Sequence, residues 1–331
     1  MHFDLLAVGD TVIDNFIRLK DASVHCNINN ENCEICMRWG DKIPFEFAVE
    51  VPAVGNSANA AVAAARLGLS SALQTCVGDD PHGAVCLEAL RHNGVNESLV
   101  ATQAGKRTNY HYVLWFESER TILIKHEQFN YEVPRVSEPP AWVYLSSLGE
   151  NSLPYHAALS ELFEAWPSTK LAFQPGTFQI KFGAQALKEI YARSDIFFCN
   201  KEESQEITGS HSDNPKELLV AMHALGPKIV VITDDRRGAY ALDQGGSFWY
   251  IPMYPDIRPP YERTGAGDAF SSSVVAGLAT GRPLQEALLW GPINAMSVVQ
   301  KVGAQEGLLT LEELQKYLKE APASYKVEPL P

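Results

Sequence analysis

Apolar residues fall into three rhythms along the chain. Short unbroken runs at 3–8, 72–77, 142–146, 170–174, 196–199 and 229–233 read as buried strands. Between them the spacing is helical: an alanine-rich run ending at Gly68, then 84–92, 154–165, 183–192 and 214–225. Near the C-terminus a helix runs from Asp268 to a stop at Gly281 and Pro283, followed by a long helix over 283–301 and a last one over 311–318. The third rhythm is alternation. Residues 109–116 and 120–126 predict paired strands joined around Glu117-Ser118-Glu119, with Asn109, His111, Val113 and Trp115 on one face. Residues 41–51 alternate enough for one or two more strands. Strand–helix alternation through most of the chain predicts an α/β fold, with a central, mostly parallel sheet flanked by helices on both faces. The tail, 321–331, carries three prolines and is expected to pack loosely.

Composition narrows the function. A length of 331 residues with 46% hydrophobic content supplies ample core. A formal net charge of −13 argues against a nucleic-acid-binding surface, yet permits a nucleotide held by local amides and magnesium. The chain opens on a strand-like run without the regions of a signal peptide, and no apolar stretch approaches membrane-spanning length. The expectation is a cytoplasmic protein with reduced cysteines and no membrane partner. His25, Cys26, Cys33 and Cys36 cluster in an irregular stretch and could supply zinc ligands. Free thiols in a loop, or a redox-sensitive pair, are the alternatives.

The candidate chemistry concentrates at Thr264-Gly265-Ala266-Gly267-Asp268, a glycine turn running into a helix. Amides at such an N-terminus make an anion site. Asp268 would repel an anion bound there, unless it takes a proton from a hydroxyl while the amides hold a phosphoryl group in transfer. Asp10 and Asp14 follow the first strand, at the sheet edge where ligands of open α/β sheets bind. Gly55 permits close approach, and Asn59 presents an amide from a helix start. Asn200 and Glu203 open another helix, a spacing that a plain capping box also explains. Other nucleotide motifs fail: the chain has no Gly-x4-Gly-Lys-[Ser/Thr], and Phe270 stands where a dinucleotide fingerprint needs a small residue.

Thr264 to Phe270, Gly55 with Asn59, Gly78-Asp79-Asp80 and Asn200 with Glu203 together resemble the PfkB, or ribokinase-like, family of sugar and nucleoside kinases. The resemblance runs from Asp14 to Ala304. It implies a single ribokinase-like domain over 1–331, with a discontinuous β-sheet lid at roughly 15–51 and 106–127. It implies ATP-dependent phosphorylation of a hydroxymethyl group, on a sugar or alternatively on a nucleoside or sugar phosphate. Asp268 would be the general base and Gly265, Ala266 and Gly267 the anion hole. Asp10, Asp14, Gly55, Asn59 and Asn109 would bind the small-molecule substrate. Asn200, Thr233, Gly238, Thr264 and Asn294 would bind ATP, and Glu203 would act on Mg2+ through water. A homodimer through the lid is a further implication. A catalytically silent sugar- or nucleotide-binding sensor is the alternative of another class.

Departures from the family pattern are Val54 for the first glycine, Gln174 for an aspartate before Pro175, and Asp234-Asp235 in a nucleotide turn. Arg236 or Arg237 could compensate for the last. Lys106 and Arg107, before the hairpin, could meet a phosphate. Glu262, one methylene longer and followed by Arg263, stands where the family has the aspartate of a monovalent cation site, which predicts weakened or altered potassium dependence.

Overall fold

The structure, a computed structural model, describes residues 2–26, 33–117 and 119–330. Residues 27–32 and Ser118 of the expected lid, and Pro331 of the tail, lie outside these. Among the described residues the largest sheet has ten strands. Edge to edge they are Val100–Gln103, Ser71–Gly78, Leu5–Val8, Trp142–Leu145, Lys170–Phe173, Ile196–Asn200, Val230–Thr233, Ala239–Leu242, Phe248–Ile251 and Glu328–Pro329. The first seven are parallel and the last three antiparallel.

Strands buried on both faces explain the unbroken apolar runs. Leu5 and Ala7 join one core with helices Asn56–Arg66 and Ala266–Ala279. Leu6 and Val8 join the other, with helix Leu153–Ala165. Small residues bring the helices of the first core close together. A Cβ on Gly277 would come within 2.9 Å of the Ala287 Cβ.

A separate small sheet has the order Phe45–Val54, Val12–Leu19, Asn109–Phe116, Glu119–Leu123. Its middle pair is parallel, so Asp14 lies opposite His111. Asn109, His111, Val113 and Trp115 are the buried face, as alternation predicts.

Several expectations are corrected. The helix expected over 283–301 is two, Leu284–Leu288 and Trp290–Val298. The break falls at Leu289, and Pro292, in the first turn of the second helix, has no N–H to offer Leu288 across it. The tail is not loose: Tyr325 is buried with its hydroxyl bonded to the Leu289 carbonyl, and Glu328–Pro329 pairs with Phe248–Ile251. Zinc at Cys26, Cys33 and Cys36 is overturned. Cys26 and Cys33 form a disulfide beside a short hairpin of Ser23–His25 and Glu34–Cys36, so neither offers the thiolate that zinc needs. The expectation of reduced cysteines fails for the same pair.

Candidate active site

The parallel strands end at one edge, and their C-terminal residues reach a cavity of about 370 Å³. Asp10, Asp14, Gly55, Asn59, Gln174, Asn200, Thr233 and the turn Thr264–Asp268 all line it. A second cavity, of about 360 Å³, adjoins it and shares Arg120, Asn200, Thr233, Arg263, Ala266, Gly267 and Phe270. The glycine turn therefore forms the wall between them.

Gly265 caps helix Ala266–Ala279 with φ +82°, and an added Cβ would fall 2.3 Å from that of Ala304. Only glycine fits this left-handed position without strain. The first amides of a helix lack a partner one turn back within it; here Ala266 N–H makes only a long contact to the Arg263 carbonyl at 3.4 Å, and Ala269 N–H donates to the Gly265 carbonyl at 2.8 Å.

Asp268 follows in the first turn, buried and held by three amide side chains. Asn56 Nδ2 donates to Oδ1 at 2.9 Å, Gln174 Nε2 to Oδ1 at 3.1 Å, and Asn59 Nδ2 to Oδ2 at 2.7 Å. Two of these amides, those of Asn59 and Gln174, are themselves oriented. Gln305 donates to Asn59 Oδ1 at 3.0 Å, and Tyr144 and Ser271 donate to Gln174 Oε1. Burial raises the Asp268 carboxyl above the ordinary carboxylate range. The bonds from Asn59, Gln174 and Asn56 oppose the rise, and the charge of Asp14 adds to it. A carboxylate that is poised toward protonation, yet fixed in orientation, is suited to accept a proton.

Asn200 and Glu203 form the capping box the spacing allows: Glu203 N–H donates to Asn200 Oδ1 at 2.7 Å, and Asn200 N–H to Glu203 Oε2 at 2.9 Å. Glu203 nevertheless lines the cavity, where burial raises its carboxyl, the Asn200 bond lowers it and the charge of Asp268 raises it. Among the described residues no three His, Cys, Asp or Glu side chains gather into a metal cage. One carboxylate with an uncommitted oxygen fits Mg2+, which keeps its waters and takes phosphate oxygens.

Some expected ligands are spent elsewhere. Asn109 is buried, donating to the Thr11 carbonyl at 3.1 Å and accepting from Glu127 N–H at 2.7 Å, and it does not line the cavity. Asn294 donates to Ser273 Oγ at 2.7 Å and accepts from Leu309 N–H at 2.9 Å; its neighbours Ala295 and Met296 line the second cavity instead. Asp10 reaches the cavity, but its oxygens accept from His126 Nδ1 at 2.9 Å and from Tyr131 Oη at 3.0 and 3.1 Å. It therefore orients an imidazole and has less capacity for a substrate hydroxyl than Asp14 has. Gly55 sits at φ +108°, where a Cβ would meet the Asp10 carbonyl at 2.8 Å.

Thr233 lines both cavities and Gly238 the second. Thr264 donates through N–H and Oγ to the fully buried Glu262. Arg237 is held by Asp234 through two bonds of 2.7 Å, while Arg236 lines the second cavity. Lys106 pairs with Glu127 at 3.6 Å and lines neither cavity. Sequence reading missed Asn56, His126 and Arg120. Asn56 stands three residues before Asn59 on one helix face, and that spacing was a usable signal. His126 and Arg120 come from the hairpin region, where only tertiary packing brings them to the site.

The model of the pfkB family of carbohydrate kinases matches residues 38–311. A ribokinase of Haemophilus influenzae is 26% identical over 275 residues, covering 81% of this chain and 87% of that enzyme. A cytidine kinase of Thermococcus kodakarensis is 39% identical over 119 residues, which is 35% of this chain and 41% of that enzyme. Among solved structures, the Arabidopsis thaliana ribokinase complexed with ribose and ATP superposes with TM-score 0.77 at 20% identity, covering 96% of this chain and 99% of the other. The Methanocaldococcus jannaschii nucleoside kinase gives 0.76 at 18% identity, with coverage of 96% and 99%. The chain belongs to the pfkB family of carbohydrate kinases, with a ribokinase-like fold.

Proposed function

We propose that the protein transfers the γ-phosphoryl group of ATP to a hydroxymethyl group of an uncharged sugar. The observation that carries this reading is Asp268: buried, raised toward protonation, gripped by three amides and adjoining a glycine turn that separates two cavities. The first cavity takes the acceptor, with Asp14, Gly55 and Asn59 orienting it. The second takes the nucleotide, with Asn200, Thr233 and Gly238 lining it and Thr264 beside it in the turn on the first cavity's side. Asp268 accepts the hydroxyl proton. Oδ2 accepts one of the three amide bonds and Oδ1 two, so Oδ2 keeps the freer lone pair. Amides of Gly265, Ala266 and Gly267 receive the charge in transfer. Arg120 and Arg263, where the cavities meet, complement the phosphates. Magnesium held through water at Glu203 would neutralise phosphate charge. The small sheet excludes water from the acceptor.

Nucleoside phosphorylation is the second reading, favoured by the 39% identity to a cytidine kinase. The test is ADP release with ribose, fructose, adenosine, cytidine and sugar phosphates. Turnover of free sugars supports the first reading and preference for nucleosides the second. Turnover of sugar phosphates alone refutes the uncharged acceptor. The outer face of the small sheet, with Tyr112 and Leu123 half-exposed, is where a homodimer would form. A monomer mass by light scattering at micromolar concentration would argue against it.

A further inference from the structure

Two polar atoms on the cavity wall are buried without a hydrogen-bond partner among the described residues: Asp14 Oδ1 and His111 Nε2. The residues are 7% and 8% exposed, and both line the cavity. Strand register sets them side by side, and His111 Nδ1 lies 3.3 Å from Asp14 Oδ1, close enough for an ion pair when the imidazole is protonated but not placed as a hydrogen bond. Buried polar atoms are nearly always paired, because leaving them unpaired carries a desolvation penalty. Two such atoms on one wall of a cavity imply that a ligand completes them.

We propose that His111 selects for a vicinal diol on the acceptor. One hydroxyl donates to Asp14 Oδ1, and its neighbour meets His111 Nε2. An ionised carboxylate only accepts, so the ligand must bring a donor there. At the imidazole a hydroxyl satisfies either tautomer, because it both donates and accepts. A methylene in its place would leave Nε2 buried and unpaired. Asp10 competes weakly for the diol, since His126 and Tyr131 occupy it. The His126 ring lies 5.3 Å from that of His111, with Phe178 packed edge-on at 5.5 Å, and the two close this side of the cavity. The inference rests on reading this cavity as the acceptor site of the kinase.

The experiment measures calorimetric affinity and ADP release for ribose against 2-deoxyribose and for cytidine against 2′-deoxycytidine. It uses wild type, His111→Phe and His111→Gln, with folding checked by circular dichroism melts. Wild type should prefer the hydroxylated member of at least one pair by roughly tenfold or more. His111→Phe should reduce that ratio to near unity, and His111→Gln, which restores a polar group, should recover part of it. Equal affinity within both pairs in wild type overturns the assignment, as does no binding of either diol. An unchanged ratio in both variants also overturns it. Diol-selective binding without turnover would remove the kinase reading and leave the role of His111 standing.

Discussion

Gln174→Met probes how the candidate base is tuned. Gln174 Nε2 donates to Asp268 Oδ1 at 3.1 Å, and its Oε1 is occupied by Tyr144 and Ser271, so the amide has little freedom to turn. Methionine keeps the volume and removes the donor. A hydrogen bond to an ionised group contributes about 1.5–3 kcal/mol, and one pKa unit corresponds to about 1.4 kcal/mol. The Asp268 carboxyl, already raised by burial, should rise by about one to two further units. The acid limb of kcat/KM should move up by that amount, and the plateau above it should change little. Gln174→Glu, which sets a second carboxylate against the first, should move it further. Stability follows the same sign. A carboxyl with a raised folded-state pKa stabilises the fold below its unfolded value, and that contribution is lost as pH rises through the folded value. Relative to wild type, Gln174→Met should therefore lose stability between the wild-type folded pKa and its own higher one. The assay is a pH–rate profile with a parallel series of urea melts. An acid limb within about 0.3 units of wild type in both variants would refute the reasoning.

Three further outcomes are expected. Gly265→Ala places a Cβ 2.3 Å from that of Ala304 at φ +82°, and should cost about 2 kcal/mol or more in a urea melt; an unchanged midpoint would contradict it. A thiol reagent should label Cys36 in the native protein and spare Cys76 and Cys86, whose thiols burial pushes up to about 12, and Cys199, pushed well above its usual range. Prior reduction should add Cys26 and Cys33, and labelling of those two without reductant would contradict the disulfide. Glu262 accepts from Thr264 and from Gly303 N–H, so activity should be equal in sodium, potassium or neither; a strong potassium requirement would contradict that.

Much of the fold was legible because burial on both faces of a parallel sheet writes unbroken apolar runs into the chain, as at Leu5–Val8 and Val230–Thr233. The glycine turn and the Asn200–Glu203 pair were legible because their chemistry lies within four or five consecutive residues. The grip on Asp268 was not. Its donors stand 94, 209 and 212 residues away in sequence. Local pattern also cannot tell an asparagine facing a ligand from one bonded to backbone or a neighbouring side chain, and this is why Asn109 and Asn294 were misplaced. The zinc expectation failed because clustered cysteines announce proximity, not oxidation state. The tail was misjudged because its three prolines speak of local backbone, while Tyr325 docks by tertiary burial.

The central claim is that Asp268 takes a proton during phosphoryl transfer, and the most direct measurement compares Asp268→Asn with wild type. ADP release on the best acceptor in the panel should fall by about 10² to 10⁴, with ATP and acceptor affinities retained. Activity of Asp268→Asn within about tenfold of wild type, under saturating substrates, would contradict the account.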